Sequence, residues 1–173
     1  FERMLTQNNY AFTYAAHYDG TPESLKGIEE TIYSAAYQAR TVTNPGVLTI
    51  GVGGGFDLLT ALAFDASAVT GVEINAATVS ILTDRYADYF GSLVKDPRVT
   101  IVTGEGRHQL ATHADTYDVL QISGVDSYSG TPGAANVFSE NYLYTAEAWD
   151  LYLSRLNPKG VINLMRLEHP YPR

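Results

Sequence analysis

Four stretches of the sequence place chemistry-bearing residues at the ends of apolar runs. The first is Gly51-Val52-Gly53-Gly54-Gly55. Glycines at such a point let the backbone turn tightly and approach a ligand closely, and the helix that follows offers its N-terminus. The stretch meets G-x-G-x-G at Gly51, Gly53 and Gly55, but not the dinucleotide pattern G-x-G-x-x-G, because Phe56 holds the last position. The second is Glu73, about twenty residues on, the spacing at which an acid accepts hydrogen bonds from the hydroxyls of a bound ribose. The third is Glu105, flanked by Gly104 and Gly106; a carboxylate there can accept from an adenine amino group, although a plain surface loop uses the same residues. Neither Lys nor Arg lies in the glycine stretch to meet a pyrophosphate. The set therefore points to an adenosine ligand without phosphates, S-adenosylmethionine or a relative, rather than NAD.

The fourth stretch is Ser123-Gly124-Val125-Asp126-Ser127-Tyr128. Asp126 can hold a cationic amine or take its proton, and it reads equally as a turn-forming Asp. Tyr128, Tyr142 and Tyr144 can form an aromatic wall for a methylene chain or a sulfonium, or can be ordinary half-buried aromatics. His17, His108, His113 and His169 lack metal-site spacing, so no metal is expected.

The elements that must position these residues follow from periodicity. Val47–Val52, Ala68–Ile74, Val99–Val102, Tyr117–Ile122 and Val161–Met165 are short apolar runs, expected to form five buried strands. Between them helical spacing recurs: Phe56, Leu59, Leu62 and Ala63; then Val79, Leu82, Tyr86 and Phe90 within Ala76–Phe90; then a short helix over Gly106–Thr112. Thr145 is expected to cap a helix whose apolar face carries Trp149, Tyr152, Leu153 and Leu156. Upstream, Thr21-Pro22-Glu23 reads as the start of a helix reaching about Arg40, with Ile28, Ile32, Ala35, Ala36 and Ala39 on one face. Apolar strands alternating with helices imply a parallel sheet covered on both faces. Right-handed crossovers make it a Rossmann-like doubly wound α/β sheet, with ligands outside the carboxyl ends of the strands beside the first one. Residues 1–45 read as an N-terminal segment and helix, and 46–173 as the ligand-binding core.

Composition sets the outer limits. The 173 residues are 45% hydrophobic, enough for one core. The absence of cysteine excludes a disulfide scaffold and any Cys-based zinc or iron–sulfur site. A formal charge of -8 disfavours nucleic acid as a partner. No apolar run has the length of a membrane span and no secretory signal pattern opens the chain, so a cytoplasmic location is expected.

The stretch from about Glu29 to Arg166 resembles the spermidine/spermine synthases (polyamine aminopropyltransferases), and their bacterial spermidine synthase-like branch in particular. The segments that carry the resemblance are Glu30-Thr31-Ile32-Tyr33, Val47 to Gly55, Val72-Glu73-Ile74-Asn75, Asp96-Pro97-Arg98-Val99, Gly104-Glu105-Gly106-Arg107, Tyr117-Asp118-Val119-Leu120, Leu143 to Ala148, and Leu156 to Ile162. The resemblance implies the class I S-adenosylmethionine-dependent methyltransferase-like fold. It also implies transfer of an aminopropyl group from decarboxylated S-adenosylmethionine to an amine, leaving methylthioadenosine. By the same resemblance Glu73 is the ribose-binding acid, Glu105 lies near the adenine, and Asp126 and Tyr33 face the acceptor.

The departures from the family pattern fall on the acceptor side. Ser123 stands where the family has its usual base, Gly54 where the glycine loop has an Asp, and Ser34-Ala35 where His/Gln-Glu follows the helix Tyr. Two missing carboxylates weaken binding of a dication. This keeps open a methyltransferase and a non-catalytic adenosine-binding domain beside the aminopropyltransferase. The fold normally continues past a fifth strand, so the chain is also expected to be a core truncated there, a domain of a longer protein or a reduced family member. Its fifth strand is then expected to pair with a second copy in a homodimer, or to be covered by the first twenty residues.

Overall fold

The computed structural model describes residues 3–7, 11–125 and 142–166. The chain opens with an antiparallel hairpin, β1 (Arg3–Gln7) and β2 (Ala11–Ala15). The core sheet contains β3 (Gly46–Ile50), β4 (Ala68–Glu73), β5 (Val99–Thr103), β6 (Tyr117–Ser123) and β7 (Leu156–Met165). Its order is β5-β4-β3-β6-β7 and every pairing is parallel. The direction of travel across the sheet reverses at β3, which puts the expected switch point beside the glycine turn.

Two cores lie on the two faces of the sheet. On one, α1 (Ala35–Ala39), α2 (Phe56–Ala63) and α4 (Ala87–Val94) bury Tyr37, Leu58, Leu62, Phe90 and Leu93 with Val47 and Val119. On the other, α5 (Gly106–Thr112) and α6 (Ala146–Ser154) bury Leu110, Ala148 and Tyr152 with Leu48, Leu120 and Ile122. Successive strand residues face opposite ways, so Val119 and Leu120 enter different cores.

Several expectations are corrected. The segment from Pro22 to Arg40 is not one helix but three 3-10 turns, Pro22–Leu25, Ile28–Glu30 and Ile32–Ser34, followed by the short α1. Gly27 breaks it at φ 87 and Thr31 is extended, so the intended apolar stripe dissolves and Ile32 is left exposed. Thr21 makes no cap bond; its own amide instead donates to Asp19 at 2.8 Å. Ala76–Phe90 is likewise interrupted, since α3 (Ala76–Ser80) passes into α4 through a π-helical stretch, Ile81–Arg85. In α6 the buried pair is Ala148 and Tyr152, while Trp149 and Leu153 are exposed. The helix lies over α5 and is rotated by one residue, about 100°, from the face the sequence periodicity favours.

Thr145 caps α6 as expected, accepting from the Ala148 amide at 3.3 Å. The fifth core strand begins five residues earlier than read from sequence, because Asn157-Pro158-Lys159-Gly160 forms an irregularity inside β7. Lys159 has φ 70 there, and an outer strand tolerates both this and the missing amide of Pro158. Among the described residues β7 pairs with β6 alone. The described residues among the first twenty therefore do not extend the sheet at that edge. The hairpin lies by the glycine turn and the 81–93 segment: Thr13 accepts from the Gly54 amide at 3.2 Å, and Ala15 accepts from the Tyr89 hydroxyl at 2.9 Å. Among the described residues no helix is long and apolar enough to cross a membrane.

Candidate functional site

The glycine turn leaves β3 at Ile50 and enters α2 at Phe56. Gly51, Gly53 and Gly55 all adopt positive φ, of 86, 50 and 86, which a side chain would strain. The close approaches at this turn are made largely by the protein itself. A Cβ on Gly51 would meet the Val125 side chain, and one on Gly54 the Tyr14 carbonyl of the hairpin. One on Gly53 would lie 2.9 Å from the Thr13 hydroxyl, and one on Gly55 2.7 Å from Leu93. The hairpin backbone thus occupies the space that a side chain at position 54 would need.

Glu73 ends β4 and is 7% exposed. One carboxylate oxygen accepts the Gly53 amide at 2.9 Å and the other the Asn75 amide at 2.8 Å. Glu73 is thus hydrogen-bonded to the glycine turn, and each oxygen keeps a lone pair for a further donor. Glu105 follows β5 and caps α5, accepting the Arg107 and His108 amides at 2.9 and 2.8 Å. The strand ends bring the two acids to one rim, joined by the Gly104 amide donating to the Glu73 carbonyl at 2.9 Å. Ile74, next to Glu73, is 60% exposed on that rim, an apolar side chain of the kind that carries a flat ring.

Beyond β3 the site changes character. Asp126 and Tyr128 lie outside the described residues, and β6 is described to its end at Ser123 and on to Val125. Tyr33 is half-buried against the Phe56 ring, with centroids 4.9 Å apart. Burial first, and the Asp57 charge second, push its hydroxyl above the usual tyrosine range. Arg107 lies 5.5 Å from the centre of the Tyr142 ring and Arg166 4.2 Å from that of Tyr144, so each of these rings already has a guanidinium against it. Among the described residues no group of three or more His, Asp or Glu is placed to hold a metal.

Sequence reasoning missed Asp57 and Gln121. Asp57, in the first turn of α2, is 5% exposed, and Gln121 in β6 is fully buried. The Gln121 side-chain amide donates to Asp57 Oδ1 at 3.1 Å and to Ser123 Oγ at 2.7 Å. Burial pushes the Asp57 carboxyl up to about 7, against the opposing effect of the Ser123 and Gln121 hydrogen bonds. Both residues left a signal. Phe56-Asp57-Leu58-Leu59 in α2 and Val119-Leu120-Gln121-Ile122 in β6 each set one polar side chain inside an apolar run.

The two acids and the glycine turn lie at the switch point of a parallel doubly wound sheet, the place where such sheets bind ligands. No family model matches the chain. Polyamine aminopropyltransferase 2 of Pseudomonas aeruginosa is 25% identical over 172 residues, covering 97% of this chain and 47% of the relative. The chain thus spans about half the length of that relative. A crystal structure of spermidine synthase in complex with the transition-state analogue AdoDATO matches with a TM-score of 0.58 at 19% identity, over 93% of this chain and 53% of that one. Human methyltransferase-like protein 13 in complex with SAH matches with a TM-score of 0.55 at 19% identity, over 78% and 62%. The chain is thus similar in sequence to a polyamine aminopropyltransferase, and it shares its fold with spermidine synthase and with class I methyltransferase-like structures.

Proposed function

We propose that the chain binds an adenosyl-sulfur nucleoside and serves a transferase that moves an aminopropyl group from decarboxylated S-adenosylmethionine to an amine. The observation that carries the nucleoside half is Glu73. It is a nearly buried carboxylate, tied to the glycine turn and open to two more donors, which suits the paired hydroxyls of a ribose. Ile74 and Glu105 on the same rim suit an adenine ring and its amino group, and no basic side chain in the turn awaits a phosphate. The relatives just described support the same reading.

Methyl transfer is the second reading, favoured by Ser123 and Gly54 at the positions where the family resemblance implies acids. It is also favoured by the Tyr14 carbonyl, which leaves no room for an acid at 54. Methyl transfer proceeds by positioning with little acid–base help.

Calorimetric titration with S-adenosylmethionine, its decarboxylated form and methylthioadenosine tests both readings. Tightest binding of the decarboxylated form supports aminopropyl transfer, and tightest binding of S-adenosylmethionine supports methyl transfer. Glu73→Ala is expected to weaken methylthioadenosine by roughly a hundredfold, since two ribose donors lose a buried acceptor. Unchanged affinity in that variant, or no binding of any of the three by the wild type, removes the nucleoside reading.

A further inference from the structure

We propose that Asp57, acting through the Ser123 hydroxyl, receives the proton of an amine acceptor at the carboxyl end of β6. This deepens the transferase reading above and rests on it. The first argument is directional. Gln121 lies between two groups that fix its amide: Asn163 donates to its oxygen at 3.1 Å, so its nitrogen must face Asp57 and Ser123. Ser123 Oγ accepts from Gln121, which leaves the Ser123 hydroxyl proton for Asp57. Every donor in the chain from Asn163 through Gln121 and Ser123 thus runs toward Asp57, its terminal acceptor.

The second argument is the cost of the arrangement. Strand register lines up Thr49 of β3, Gln121 of β6 and Asn163 of β7 across the middle of the sheet. Thr49 and Gln121 are fully buried, and the Thr49 hydroxyl has no hydrogen-bond partner. Neither layer of an ordinary apolar core needs such a polar row, and buried polar groups are normally all paired. The Tyr37 hydroxyl, also buried and without a hydrogen-bond partner, feels the charge of Asp57.

The third argument is chemical. A carboxyl held near 7 by burial is poised to exchange a proton at neutral pH, and the titratable groups that face it are the Tyr33 and Tyr37 hydroxyls, neither of them cationic. Ser123 is only half-buried and sits at the strand end where the site opens. An ammonium N–H against Ser123 Oγ passes its proton to that oxygen while the Ser123 hydroxyl proton passes to Asp57. The nitrogen keeps the electron pair of the broken bond, and Asp57 becomes a neutral carboxylic acid.

The test uses the full chain, saturated with methylthioadenosine and titrated with 1,4-diaminobutane in two buffers of different ionisation enthalpy between pH 6 and 8. Wild type is expected to bind the diamine with release of protons that fades above about pH 8, where a group of this pKa is already ionised. Asp57→Asn is expected to bind it at least tenfold more weakly and without proton release, with methylthioadenosine affinity unchanged within about twofold. Ser123→Ala, at a half-buried position, is expected to lose the same proton release and decides the matter if Asp57→Asn does not fold. Equal diamine affinity and equal proton release in wild type and variants overturn the proposal, as does a wild type that binds no diamine. Failure to bind methylthioadenosine overturns the nucleoside reading instead, and the diamine titration repeated without it still decides for or against Asp57.

Discussion

Glu73 and Asp57 are both nearly buried acids within reach of one glycine turn, yet their surroundings differ in kind. Glu73 takes its hydrogen bonds from main-chain amides, Gly53 and Asn75, and Glu105 on the same rim does likewise from Arg107 and His108. Asp57 takes its bonds from the neutral side chains of Gln121 and Ser123, inside a layer of Leu and Val. Main-chain donors are fixed by the strand ends and cannot leave, so they suit an acid that holds a ligand in place. Side-chain donors in a dry layer leave the neutral and charged forms of the acid close in energy, which suits a group that changes protonation. On the proposals above, the β4–β5 side of the switch point holds the ligand and the β6 side exchanges the proton.

The largest effect expected from this contrast is on the pH dependence of stability. The folded-state pKa of Asp57 is raised above its unfolded value, so the folded protein binds the extra proton between about pH 4 and pH 7. The stability associated with the neutral form is present at the acid end of that window and is lost as pH rises through about 7. Moving a carboxyl from 3.8 to about 7 corresponds to about 4 kcal/mol. Subtracting the Asp57→Asn stability from that of wild type at each pH, by urea unfolding from pH 5 to 8, is expected to give a falling line. A flat difference would remove Asp57 as a group that exchanges a proton near neutral pH.

Gln121→Leu is expected to cost about 3 kcal/mol, because buried Asp57 and half-buried Asn163 each lose a partner. Methylthioadenosine affinity is expected to stay as in wild type, and a joint loss would mean that the two sides of the site are one network. The smallest effect is that of Glu105→Ala, which removes the cap of α5 and is expected to cost about 1 kcal/mol in urea unfolding. Retained nucleoside affinity in that variant would assign Glu105 to the helix rather than to the ligand.

The alternation of apolar runs and helical spacing carried the parallel sheet, its five strands and the location of the switch point. Glu73 was legible because strand ends and spacing are local properties. Its contact with the glycine turn followed once β3 and β4 paired in register. Local periodicity was misleading at Pro22–Arg40, where Gly27 and Thr31 break the helix, and in α6, where contact with α5 selects Ala148 and Tyr152 over Trp149. Two findings needed the tertiary structure. The hairpin lying on Gly53 and Gly54 shows that much of the glycine turn serves chain packing, a contact between residues about forty positions apart. The Asn163–Gln121–Asp57 chain joins β7, β6 and α2 across more than a hundred residues. Sequence determined which residues were polar within apolar runs. Strand register and helix docking alone decided that these residues meet, because hydrogen bonds depend on distances that no spacing along the chain encodes.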